Sequence, residues 1–183
     1  MDHKTLALQI EFAESIPLSI EDLKKITNNE CNIIQYHEMG PMTNIDQIFG
    51  DFDSCIVLYE LQGNIGHFIA VIRNREENKL IHYDSYGFHP DEEMNLFEHK
   101  VPLYSRLFYA SEYIYDINVY KHQLFKNHSQ TCGRHACLRV IYRHLTNDEY
   151  NKFITSKPKI TNPDQLVTVM TMAATNYVNK PLE

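Results

Sequence analysis

Tryptophan is absent from this 183-residue chain, and no apolar stretch approaches the ~18 residues that a membrane-crossing helix requires. Aromatic character therefore rests on 12 tyrosines and 9 phenylalanines. Cysteine is sparse. Cys31, Cys55, Cys132 and Cys137 are too widely spaced for a zinc finger or a dense disulfide framework. Positive charge is short as well: 17 Lys and Arg stand against 24 Asp and Glu, a formal net charge of −7. Such a chain is a poor match for duplex DNA, whose phosphates need clustered cations, and only Arg139 and Arg143 suggest a local basic patch. Repeats, low-complexity tracts and linkers are lacking, so residues 1–183 are expected to form a single domain with a sizeable core. The opening "MDHKTLALQIEFAESIPLS" is too broken by charge for a signal peptide. These absences point to an intracellular, reducing compartment, with no secretion and no membrane association.

What is present reads as an α+β chain. "SIPLSIEDLKKITNN" predicts a short helix capped by Ser19. "CNIIQYHEM" reads as a strand, and "TNIDQIFG" as a helical turn closed by Gly50. "SCIVLYEL", "HFIAVIRN" and "KLIHYDSYG" are separated by turn signals at "QGNIG" and "REEN". They predict an antiparallel meander, apolar enough to be covered on both faces. "DEEMNLFEHKVPLYSRLFYASE" reads as helical and "YIYDINVYKHQ" as a strand. Three more helices follow: "TCGRHACLRVIYRHLT", "TNDEYNKFITS" with a Thr or Asn cap, and "NPDQLVTVMTMAATNYV" with an Asn-Pro start.

The chemistry concentrates in "HSQTCGRHACLRVIYRHL", residues 128–145, where Cys132 opens an apolar-periodic helix. A thiol at a helix N-terminus sits in the positive end of the macrodipole, which favours thiolate. His67 starts one meander strand and Asp84 ends the next, so hairpin pairing would bring them to one sheet edge. A carboxylate beside an imidazole fixes its tautomer and raises its basicity. Gly133 leaves the backbone after Cys132 open to an incoming carbonyl. The Cys132 N–H and the amide of Gln123 or Gln130 could then hold an oxyanion. Cys31, Cys55 and Cys137 read as buried structural residues. His135 lies three from Cys132 and two from Cys137. That spacing does not converge these groups on one ion, so neither a metal nor another cofactor is expected.

With the residues in the order His67, Asp84, glutamine, Cys132, the chain resembles the adenain-like and SUMO-deconjugating (Ulp-type) cysteine proteases. It is most similar to the maturation proteases of adenovirus-related viruses, virophages and Maverick-type elements. "GDFDSCIVLYEL", "GHFIAVIRNREENKLIHYDSYG" and "QTCGRHACLRV" carry the resemblance, across roughly residues 50–145. It implies a papain-like, adenain-like fold: a central, mostly antiparallel sheet flanked by helices, with the nucleophile at a helix N-terminus. It implies His67 as general base, Asp84 as its orienting partner and Cys132 as nucleophile. Gln123 is the first choice for the oxyanion donor and Gln130 the alternative. Gln123 stands nine residues before Cys132, a longer gap than in better-known members, as an insertion at "LFKNHS" would explain. The family's Trp after the histidine is replaced by Phe68, which with Gly133 is expected to wall the substrate tunnel.

The function so implied is limited proteolysis of virion precursor polypeptides after small residues, Gly-Gly or Gly-X, because a narrow apolar tunnel excludes side chains. The implied setting is the viral factory of the host cytoplasm and the virion. An activating peptide is compatible with this reading, the acidic balance argues against a DNA cofactor, and a monomer is favoured. Removal of a ubiquitin-like modifier by an isopeptidase, and a catalytically silent peptide-binding module, are the alternatives.

Overall fold

Near-continuous apolar runs build a five-stranded sheet at the centre of the molecule. The computed structural model describes residues 3–60, 66–94, 101–124, 130–156 and 162–175. The strands are β1 (Asn32–Gln35), β2 (Ser54–Glu60), β3 (Gly66–Asn74), β4 (Lys79–Tyr83) and β5 (Ile114–Ile117), in the spatial order β1-β2-β3-β4-β5. The expected meander β2-β3-β4 is antiparallel, with Ile56 opposite Ala70 and Ile72 opposite Ile81. The short β1 and β5 join its edges in parallel.

Period-two alternation sends Ile56, Phe68, Ala70 and Tyr83 into one core and Cys55, Val57, Tyr59, Ile69, Val71 and Leu80 into the other. Both faces are thus covered, which is why these strands read as continuous apolar runs rather than alternating ones.

Among the described residues six helices supply the cover: α1 (His3–Glu14), α2 (Ile20–Ile26), α3 (Leu103–Tyr109), α4 (Cys132–Ile141), α5 (Asn147–Thr155) and α6 (Pro163–Met172). Leu23, Ala136, Leu138, Val140, Tyr150 and Leu166 fill the first core. Burial of Leu138 and Val140 alone contributes about 1.5–3 kcal/mol each. The second core is closed by Tyr104, Leu107 and Phe108 of α3 and by 3-10 turns at Tyr36–Met39 and Ile45–Phe49. Ser19 with Asp22, and Thr146 with Glu149, form capping boxes on α2 and α5; Asn162 caps α6 ahead of Pro163. Among the described residues no helix is long and apolar enough to cross a membrane.

Several elements differ from the sequence-based expectation. The helix expected from residue 91 begins at Leu103, after Pro102; Asp91 adopts a positive φ of 63°, which no helix continues through. The strands at residues 31–39 and 113–123 shrink to β1 and β5. Helix α1 was not expected. The turn "QGNIG" and the loop "LFKNHS" lie largely outside the described residues. Arg139 forms no basic surface patch. It is fully buried, donating to the carbonyls of Tyr142 and Leu145 and stacking on the Tyr150 ring, while Arg143 pairs with Glu30.

Candidate active site

Cys132 is the first residue of α4 and is buried, like the other three cysteines, none of which is in a disulfide. The hydroxyl of Thr131, the preceding residue, does not cap the helix. It donates instead to Asp164 Oδ1 at 2.6 Å. The N-terminus of α4 is therefore not capped by the side chain that precedes Cys132.

The antiparallel pairing of β3 and β4 brings the start of one strand to the end of the other, as the spacing predicts. His67 Nε2 lies 2.9 Å from Asp84 Oδ2, and both side chains are buried. Asp84 Oδ1 accepts the Tyr86 N–H at 2.7 Å, and the Tyr86 ring stacks on His67. Cys132 lies close enough to His67 to bear on the protonation of the ring. Burial disfavours the charged ring. The carboxylates of Asp84 and Glu93, with the hydrogen bond to Asp84 and the neighbouring Cys132, outweigh that and hold His67 well above the usual imidazole range. Burial likewise pushes Asp84 up, but His67 and the Tyr86 N–H bring it below the usual carboxylate value.

Gln123 is buried, and its Oε1 accepts the Ser85 hydroxyl at 2.7 Å. The backbone N–H groups of His122 and Gln123 both donate to the Ser85 carbonyl. Next along the chain, Leu124 N–H donates to Asp164 Oδ2 at 3.0 Å. One carboxylate therefore grips the residue after Gln123 with one oxygen and the residue before Cys132 with the other. Asp164 Oδ1 also lies 2.9 Å from His135 Nε2, and a buried chain runs from His135 to the Tyr83 hydroxyl and His122. Gln130 is exposed and held by its N–H to the Glu14 carbonyl.

Beside Cys132 opens a cavity of about 260 Å³, lined by Pro17, Leu18, Gly66, Phe68, Gln130 and Gly133. A methyl group on Gly133 would come within 3.3 Å of both Leu23 Cδ2 and Phe68 Cδ2. A side chain at this position would thus press on both neighbours.

No family model matches the chain. It is 29% identical over 179 residues to an uncharacterized protein, V9, of Sputnik virophage, an alignment spanning 90% of this chain and 99% of that protein. Among solved structures it is similar to the C-terminal Ulp1 protease domain in complex with Smt3, the yeast ortholog of SUMO. That similarity covers 87% of this chain and 76% of the other at 12% identity, with a TM-score of 0.39.

The residues singled out in the sequence thus fall into two groups. His67 and Asp84 are hydrogen-bonded with Cys132 beside the ring, and Gln123 is tied next to them through Ser85 and Asp164. Phe68, Gly133 and Gln130 line the adjoining cavity. Three participants were not anticipated. Ser85 could have been found as the neighbour of Asp84. Glu93 and Asp164 carry no local signal, since each reaches the site through tertiary folding. Among the described residues, the ligand atoms of His67, Asp84 and Glu93 lie within 4.8 Å of one another, a grouping that could also hold a cation. Its tightest contact is already occupied by the His67–Asp84 hydrogen bond.

Proposed function

We propose that this chain is a thiol endopeptidase of the adenain and Ulp type, with a papain-like fold, acting on virion precursor proteins. The observation that carries this reading is the buried row Asp84–His67–Cys132, with Cys132 at the N-terminus of α4. A merely structural cysteine needs neither a helix N-terminus nor a charged imidazole.

In this reading Asp84 commits Nε2 of His67, so Nδ1 is the nitrogen that exchanges a proton with the thiol. The Cys132 thiolate attacks the scissile carbonyl carbon, forming a C–S bond and moving the π electrons onto oxygen. The Cys132 N–H and the Gln123 amide hold that oxyanion. As the C–N bond breaks, the imidazolium gives its proton to the leaving amine and a thioester remains. His67 then takes a proton from water, the resulting hydroxide displaces the thiolate, and the acid product leaves.

The apolar cavity at Phe68 and Gly133 supports a preference for small residues next to the cleaved bond, Gly-Gly or Gly-X. Similarity to a virophage protein along 99% of its length supports a viral setting, in the host-cell viral factory and the virion. The net charge of −7 argues against a DNA cofactor.

The test is iodoacetamide alkylation against pH, with site assignment by mass spectrometry, in the parent and His67→Ala, alongside cleavage of a Gly-rich peptide. Fast reaction of Cys132 near pH ~6, far ahead of Cys137 and lost in His67→Ala, is expected. Cleavage is expected to vanish in Cys132→Ala. A Cys132→Ala variant that cleaves like the parent would overturn the reading. Cleavage of a folded modifier fusion but not of the short peptide would replace it with the isopeptidase.

A further inference from the structure

We propose that Glu93 is a positioning residue for this site: a second carboxylate whose charge holds the His67 ring as imidazolium. The consequence for catalysis rests on the protease reading; the geometry does not. Glu93 follows the Asp84 turn and is 5% exposed. Its Oε2 lies 3.7 Å from His67 Nε2, too far for a hydrogen bond and close enough for a strong charge contact. Its Oε1 has no hydrogen-bond partner.

A buried carboxylate oxygen without a donor is costly, and packing alone would be served as well by an uncharged side chain. The charge that offsets this cost is His67. The other titratable groups facing the pair are Asp84, Cys132 and Tyr86 around the ring, and Asp91 beside Glu93. Asp91 is itself satisfied by the Tyr59 hydroxyl and the Ser105 N–H, so it supplies negative charge rather than a proton.

Burial pushes the Glu93 carboxyl up to about 7; Asp84 and Asp91 add to this, and His67 opposes it. Glu93 is accordingly neutral on the acid side of neutrality and negative above it. Asp84 alone therefore supports the imidazolium at low pH, and a second charge arrives as rising pH begins to strip the ring of its proton. The device extends the thiolate–imidazolium pair toward alkaline pH.

The experiment is Glu93→Gln, which keeps shape and removes the charge. His67 is titrated by NMR in a Cys132→Ala background, and the pH profile of kcat/KM is measured with Cys132 intact. Loss of the charge is expected to lower the His67 midpoint by ~1 pH unit or more and to draw in the alkaline limb equally. A uniform loss at every pH with an unmoved His67 midpoint would reduce Glu93 to a packing residue and overturn the proposal. Should the parent fail to cleave while the His67 midpoint still falls, the protease reading fails and the charge coupling stands.

Discussion

Asp164 Oδ1 accepts a 2.6 Å hydrogen bond from Thr131, the residue immediately before Cys132, while its Oδ2 accepts the N–H of the residue immediately after Gln123. Segments 33 and 40 residues away in the sequence are pulled together at one buried carboxylate. Burial pushes this carboxyl up, but His135, Thr131 and the Leu124 N–H outweigh it and hold Asp164 below the usual range. Its folded value is depressed, so its contribution to stability is fully present above the unfolded carboxylate value and is lost as pH falls through the folded one. Asp164→Asn is expected to cost about 3 kcal/mol at pH ~7, with the gap to the parent closing below pH ~4. Urea unfolding at the two pH values reads this directly. Equal stability of parent and variant at neutral pH would show that the carboxylate is not the tie.

Much of the layout was legible in the sequence. The meander was readable because β-branched runs alternate with polar turns, and the turns fix which strand ends meet. That placed His67 beside Asp84 without any long-range information. Asp164 was not readable. It sits in the first turn of α6, where an acidic residue is already explained by the helix dipole, so nothing marks it as a ligand of another helix. Helix α1 was missed because its outward face carries Leu6, Leu8 and Phe12, and only Ala13 is deeply buried; its apolar residues do not form one stripe. The overlong helix before Tyr109 arose from counting good helix formers across Pro102.

Ser85 is predicted to act through Gln123. Its hydroxyl occupies the amide oxygen, so the Nε2 donor faces away from Ser85. With the oxygen unclaimed in Ser85→Ala, the amide is free to flip and the donor is lost for part of the time. We expect kcat to drop ~10-fold, against ~100-fold for Gln123→Ala, which removes the donor outright. KM and Cys132 alkylation should be unchanged in both variants. Peptide kinetics beside alkylation rates separate this outcome from general damage, and a Ser85→Ala enzyme with full kcat would remove Gln123 from the oxyanion role.

Gly133→Ala sets two effects against each other. Alanine gains about 1 kcal/mol of helix propensity over glycine in α4. The added methyl meets Leu23, Phe68 and Leu18 at 3.3–3.4 Å, an overpacking cost of about 1–3 kcal/mol. Stability should therefore change by no more than ~2 kcal/mol. The methyl also crowds the cavity beside Cys132, so kcat/KM for a Gly-rich peptide should fall ~10-fold or more, equivalent to ~1.4 kcal/mol of transition-state binding. Phe68→Leu in the same chain should restore part of it by vacating the ring edge. Undiminished kcat/KM in Gly133→Ala would move the substrate path elsewhere.

Asp84 and Ser85 are consecutive, yet one grips the histidine and the other the glutamine. A single peptide link thus sets the spacing between the groups that hold His67 and Gln123. Cys132 sits on a separate helix, and Asp164 is the carboxylate that ties the start of that helix to the Gln123 segment.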